Sequence, residues 1–269
     1  MKKAVSRLLE SLYRDPRYLP TGRTKRFGQD FISFVEVCHL LSPTSDERGR
    51  MLLEREFRAD GRPDGERPFG RESLLDHHLD ASRAEENYEL PESDVPALMA
   101  ESWDYYVRRN FHFLFGDFVA ARDDAEHNQE IVSLANRSVQ SPQQRWGFLR
   151  WWPWMERDRA IAQALSDVEN SRLDAAASEL YRSVKAIAQF AREHAEEYAQ
   201  EGEDAVAMPR RMREHVAAFI ELLRKEYSLP VSTDEQLDEA LARGDEQEAE
   251  RIRRQMMSEA LSDQSEESE

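Results

Sequence analysis

Cysteine is almost missing from this chain of 269 residues: Cys38 stands alone. One thiol closes no internal disulfide and builds no Cys-rich zinc or iron–sulfur cage. Long apolar runs are missing too. No stretch reaches the roughly 18 uninterrupted apolar residues of a membrane helix. Lys2 and Lys3 lead into no apolar run, so no secretory signal is expected. Basic residues are in deficit, 37 against 54 acidic, for a formal net charge of −17. That field repels phosphate and argues against a nucleic-acid binder relying on bulk charge. His-Glu-x-x-His, Gly-x-Ser-x-Gly and the Gly-x-x-x-x-Gly-Lys-Ser/Thr loop are all absent. What is left is a soluble, cytoplasmic, acidic protein with no expected cofactor or metal and no membrane partner.

The charge that is present is unevenly spread. Residues 1–29 carry a net +6 and residues 232–269 a net −9. The basic head reads as a solvated helix face and turn; contact with nucleic acid or an anionic membrane, or attraction to the acidic end, are the alternatives. Ser262 to Glu269 contain no apolar side chain, so residues 261–269 are expected to be a disordered acidic tail.

Hydrophobic spacing predicts a mainly α protein. Val5, Leu8, Leu9 and Leu12 form one stripe of a helix from Lys3 to Tyr13. Phe31–Leu41 and Met51–Arg58 fit a strand or a short helix equally well and are the expected place for a small β element. Gly61, Arg62, Pro63, Asp64, Gly65, Glu66, Arg67 and Pro68 specify tight turns, with a positive φ suited to Gly65. Arg62, Asp64 and Arg67 are expected to make a salt-bridged structural loop, an anion pocket being the alternative. From Pro96 onward helical patterns dominate. Trp103, Tyr106, Val107, Phe111 and Leu114 share one face of a helix ending at Gly116-Asp117. Helices are expected over Phe118–Ala135, Met155–Val168 and Leu173–Tyr198, followed by an amphipathic stripe from Met212 to Tyr227. Ser232 to Asp234 mark a fresh N-cap for a last hairpin, Glu235 to about Ala260.

Three turns share a signature. Gly116-Asp117-Phe118 precedes Ala121, Ser171-Arg172-Leu173 precedes Ala176, and Gly244-Asp245-Glu246 precedes Ala249. A small residue in a left-handed conformation ends one helix, and an alanine five positions on lets the next helix approach closely. This resembles the centre of a tetratricopeptide repeat, whose turn reads Gly-Asp-Tyr-x-x-Ala, although the turns lie 55 and 73 residues apart rather than ~34. A generic antiparallel helical bundle is the alternative.

The stretch Leu237 to Met256 resembles the UVR motif, a helical hairpin found in the excision-repair subunits UvrB and UvrC. Leu237, Ala240 and Leu241 match its first helix; Asp245, Ala249, Ile252, Arg253 and Met256 match its second. Glu246, Glu250 and Arg254 depart from its aromatic, alanine and aspartate. The Gly61–Pro68 loop and the Ala121–Asn128 block are similar to segments of a group of bacterial proteins that end in a UVR motif. The resemblance implies an N-terminal part over 1–95, tetratricopeptide-like helices over 96–230 and a UVR-like hairpin over 231–260. It implies binding to other proteins, UVR-bearing ones among them, through Leu237, Leu241, Ala249, Ile252, Arg253 and Met256, with the oligomeric state left open.

Three further groups invite chemistry. Asp76-His77-His78 lacks the second pair that a metal site needs, and is expected to place one histidine in a core and one in solvent. Asp123 and His127, four apart on one helix face, fit a chelating pair or a general acid–base, with a structural hydrogen bond the plainer expectation. Trp146, Trp151, Trp152 and Trp154 fall within nine residues. Four indoles hold too much apolar area to leave in water. They are expected to fill the gap between helical hairpins, with a protein interface or a nucleobase stacking platform as alternatives. No catalytic set emerges. The sequence therefore points to a non-enzymatic adaptor, with a DNA-repair accessory protein or an enzyme built around Asp123 and His127 as the competing classes.

Overall fold

The structure, a computed structural model, describes residues 1–13, 26–27, 31–32 and 68–266. The Gly61, Arg62, Asp64, Gly65 and Arg67 loop, Cys38 and the Met51–Arg58 run lie outside the described residues, as does most of Phe31–Leu41. The described chain is mainly α-helical and is built of antiparallel helical hairpins.

Two compact units divide it, Met1–Ala162 and Gln163–Glu269. The division falls inside a helix, and the C-terminal hairpin docks on an earlier helix of its own unit.

In the first unit, α1 (Lys3–Tyr13) spans the predicted range and buries Val5 and Leu9. Arg26–Phe27 (β1) and Phe31–Ile32 (β2) make a two-residue antiparallel ladder, Arg26 opposite Ile32 and Phe27 opposite Phe31. A 3-10 turn, Pro68–Gly70, leads to α2 (Leu74–Ala84), whose N-cap Ser73 accepts from the Asp76 N–H at 3.0 Å. Next come α3 (Val95–Phe115), which packs against α1, and its antiparallel partner α4 (Phe118–Ser138). Ser141 caps the short α5 (Pro142–Leu149) by accepting from the Gln144 N–H, with proline at the first helical position, where a missing N–H costs nothing. Leu98, Phe113, Phe118, Ile131 and Leu134 fill the core between α3 and α4. α6 (Trp152–Glu169) begins three residues before the predicted Met155, because Pro153 is tolerated in a first turn.

The second unit contains α7 (Leu173–Glu193), α8 (Ala195–Glu201), α9 (Glu203–Tyr227), α10 (Thr233–Ala242) and α11 (Glu246–Glu266). α7 packs on α9 around Leu180, Ile187, Met212, Val216, Phe219 and Leu223, all buried. The predicted single helix Leu173–Tyr198 breaks at His194 (φ −114°, ψ 25°), where the Phe190 and His194 rings pack 4.4 Å apart. No glycine or proline marks that break in the sequence. The last helix continues through Glu266, past the hairpin end expected near Ala260 and into the stretch expected to be disordered.

All three recurrent turns take one geometry. Gly116 (φ 75°), Ser171 (φ 59°) and Gly244 (φ 72°) are left-handed. In each, the next residue's N–H reaches back five positions: Asp117 to the His112 carbonyl (2.9 Å), Arg172 to Asp167 (2.8 Å) and Asp245 to Ala240 (3.0 Å). This is the Schellman pattern, which satisfies carbonyls the helix end leaves open. Ala121, Ala176 and Ala249, the small residues picked from the pattern, are all fully buried.

Candidate functional site

The tryptophan-rich segment and the helix pair α3–α4 enclose a cavity of about 270 Å³ within the first unit. Trp103 and Tyr106 come from α3, one helical step apart; Phe148 from α5; Trp151 and Trp154 from the start of α6. Their rings meet at angles that close a box. Trp103 lies 5.1 Å from Tyr106, Tyr106 meets Trp154 edge-on at 6.0 Å and 88°, and Trp154 meets Trp151 at 6.2 Å and 63°. Met99 and Met155 complete the apolar lining, and thioethers of this kind adapt to aromatic shapes. Gly147 also lines it; a β-carbon there would come within 3.3 Å of the Met99 methyl.

The predicted cluster is therefore neither a filled core nor a flat exposed platform. Trp151 is 40% exposed and Trp103 48%, whereas Trp146, Trp152 and Trp154 are half-buried. Trp151 and Trp154 wall the cavity; Trp146 and Trp152 do not line it.

Polar groups stand in this apolar wall. Arg109 (1% exposed) forms an ion pair with Asp158, Nη2 to Oδ2, at 2.8 Å, while its Nε and Nη1 are buried without a hydrogen-bond partner. Arg157 shares the same aspartate, with Nε to Oδ1 at 2.8 Å. Asn128 on α4 is 0% exposed, and neither its Oδ1 nor its Nδ2 is hydrogen-bonded. The Trp154 Nε1 is buried and unpaired as well. Each of three cavity rings carries an arginine: Arg109 over Tyr106 at 5.2 Å, Arg150 over Trp151 at 4.9 Å and Arg157 over Trp154 at 5.1 Å. Burial pushes the Tyr106 hydroxyl upward from its ordinary pKa and Asp158 adds to this, so the phenol stays protonated. No protein family, curated protein sequence or solved structure matches this chain.

The second candidate is the C-terminal hairpin, α10–α11. Ala240, Ala249 and Ile252 make its own small core, with Leu237 and Met256 packed against them. Four of the residues expected to face a partner, Leu237, Ala249, Ile252 and Met256, thus close the hairpin itself, because two short amphipathic helices bury their stripes on each other first. Leu241 (46% exposed) and Arg253 remain outside, on a shallow surface groove shared with Glu250 and Arg254. α10 is tied to α7: the Asp238 Oδ2 accepts from the Tyr181 hydroxyl at 2.9 Å and from Lys185 Nζ at 2.6 Å, and Asp234 accepts from Arg182 at 2.9 Å. Arg224 on α9 bonds Glu235.

Two of the histidine groups singled out in the sequence, His127 and the His77–His78 pair, have structural partners. His127 Nε2 meets the Glu101 Oε1 at 3.0 Å and its ring stacks on Tyr105 at 3.6 Å. That Glu101 carboxylate accepts from the Leu74 and Leu75 N–H groups at 2.7 and 3.1 Å, a negative charge at the positive end of α2. Asp123, its expected partner, is exposed and pairs with Arg122. His78 is buried with Nδ1 2.6 Å from the Tyr88 hydroxyl, whereas His77 stacks on Phe69 near the surface, as the expectation of one inward and one outward histidine has it. Among the described residues no group of three or more His, Cys, Asp or Glu side chains is arranged to hold a metal, and no described helix is long and apolar enough to cross a membrane.

Asn128 and Arg109 escape a reading of the sequence. Each lies mid-helix, and although Asn128 closes the Ala121–Asn128 block, nothing in that block marks it as a cavity residue. A weak signal was available: an asparagine on the inward stripe of α4, three residues before Ile131, has to find a polar partner.

Proposed function

We propose that this chain is a cytoplasmic, non-enzymatic adaptor that holds other proteins on its helical hairpins, with α10–α11 docking a partner in the manner of a UVR motif. One observation supports this most directly. With its own core closed and α10 anchored to α7, the hairpin still presents exposed apolar side chains, Leu241 at 46% and Met257 at 68%. They flank Arg253 and Arg254, and Arg253 and Met257 are one turn apart on α11. Apolar anchors bordered by arginine are the composition of interface hot spots rather than of an ordinary solvated face. α11 also has 21 residues against 10 in α10, so its distal half extends beyond α10.

The test compares the full chain with a Leu241→Asp, Met257→Asp variant in partner capture from cells and in titration against a UVR-bearing repair subunit. Both positions are exposed, so the fold is retained and its helical signal serves as the control. Loss of binding in the variant supports the adaptor reading; the same partners held with unchanged affinity would overturn it.

A further inference from the structure

The cavity between α3, α4, α5 and α6 is kept at a cost to stability. Protein interiors hold few spaces larger than a water molecule, and this one measures about 270 Å³. Gly147 helps to keep it open. It lies inside α5 with an ordinary helical backbone, so no turn requires glycine there, and glycine weakens a helix relative to alanine. A β-carbon at this position would come within 3.3 Å of the Met99 methyl, and both residues line the cavity. Trp103 and Trp151 belong to the same lining and are exposed. The cavity therefore reaches solvent beside two large apolar side chains, which an occupant would cover.

The lining selects a neutral occupant. Among the described residues that form it none is acidic, so a cation finds no counter-charge. Arg109 is engaged by Asp158 at 2.8 Å. Its other nitrogens, both ends of the Asn128 carboxamide and the Trp154 indole N–H have almost no accessible surface and do not meet an occupant. An anion would lose its hydration against these side chains without compensation. The Tyr106 hydroxyl is hydrogen-bonded with Asn110. Half-buried Ser102 offers one hydroxyl to a neutral polar substituent.

The same lining selects an aromatic body over a saturated one. Tyr106 and Trp154 meet at 88° and Trp151 and Trp154 at 63°, so the walls offer both ring faces and ring edges, the two surfaces on which aromatic rings pack best. The Met99 and Met155 thioethers add contacts that favour aromatic partners. An apolar cavity of about 150 Å³ accepts one benzene ring, so about 270 Å³ takes two fused rings with a small substituent. A mostly aromatic lining with few polar groups is the ordinary form of a small-molecule site.

We propose that this cavity binds a neutral, planar two-ring aromatic molecule with one small polar group, its rings against Tyr106, Trp151 and Trp154 and its polar group toward Ser102.

Isothermal titration of the full chain with 2-naphthol tests this, with 2-naphthoate and 2-naphthylmethylamine as the charged counterparts and decahydro-2-naphthol as the saturated one. Saturable 1:1 binding of 2-naphthol is expected, at least about tenfold tighter than either charged molecule and about fivefold tighter than the saturated alcohol. Gly147→Leu places a side chain in the cavity from a helix that accepts leucine well. It should weaken 2-naphthol at least about tenfold while the helical signal is retained. Trp151→Ala, at an exposed position, should also weaken binding and leave folding intact, and it carries the same test if the leucine is not accommodated. No saturable binding of 2-naphthol at millimolar concentration, equal binding of a charged or the saturated counterpart, or unchanged affinity in a folded Gly147→Leu or Trp151→Ala variant would each overturn the proposal.

Discussion

Ser171 holds a left-handed backbone (φ 59°) at the position where the two equivalent turns use Gly116 and Gly244. A β-carbon in that region costs roughly 1–2 kcal/mol, and glycine returns part of this as unfolded-state entropy. Ser171→Gly should therefore stabilise the second unit by about 0.5–1 kcal/mol, read as a higher denaturant midpoint with unchanged slope. A lower midpoint would mean that serine makes a compensating contact there. At this scale the sequence was legible wherever one backbone conformation or one small side chain was required, as at the three turn residues and the three alanines. It was not legible at Asn128 and Arg109, whose meaning depends on residues 20 to 50 positions away. Asp123 and His127 lie between these cases: the spacing favoured a structural hydrogen bond over chemistry, and His127 makes one, but its partner Glu101 comes from another helix and has no mark in the local sequence.

Between elements, the attachment of α10 to α7 depends on Asp238. The Lys185 ammonium, and secondarily the Tyr181 hydroxyl, hold its carboxyl below the usual range against the opposing effect of burial. Burial, with the hydrogen bond to Asp238 next, pushes the Tyr181 hydroxyl up to about 12. The two signs differ. The depressed carboxyl contributes stability above its unfolded pKa, and this is lost as the pH falls through the folded value. The raised phenol contributes stability fully present below pH ~10 and lost between there and about 12. Asp238 is 35% exposed and Lys185 55%, so solvent screening keeps the pair small. Asp238→Asn should cost about 1 kcal/mol near neutrality and flatten the loss of stability between pH 10 and 12. An alkaline limb as steep in the variant as in the parent would assign that loss to other groups. The stripe that anchors this hairpin was legible in sequence; its direction was not. Periodicity gives a face but does not say what covers it, which is why Ile252 and Ala249 turned inward.

For the whole molecule, the net charge of −17 conceals an asymmetry between the two compact units that acid should reveal. Burial lowers the pKa of His78 and of His112, in each case against a nearby aspartate, Asp94 for the first and Asp124 for the second. Both belong to the first unit. A base whose folded pKa is depressed binds its proton more readily in the unfolded chain. The stability it contributes is therefore complete above pH ~6.5 and falls as the pH drops toward the folded value. All five tryptophans, Trp103, Trp146, Trp151, Trp152 and Trp154, lie in the same unit. Indole fluorescence consequently reports the first unit alone, whereas far-ultraviolet dichroism reports helices of both. Between pH 7.5 and 5.5 the fluorescence melting midpoint should fall further than the dichroism midpoint, and the dichroism transition should broaden. Replacing His78 with glutamine, which keeps a polar contact for Tyr88 but does not titrate, should reduce the fluorescence shift. Coincident midpoints at both pH values would show instead that the helix shared by the two units, Trp152–Glu169, makes them unfold as one.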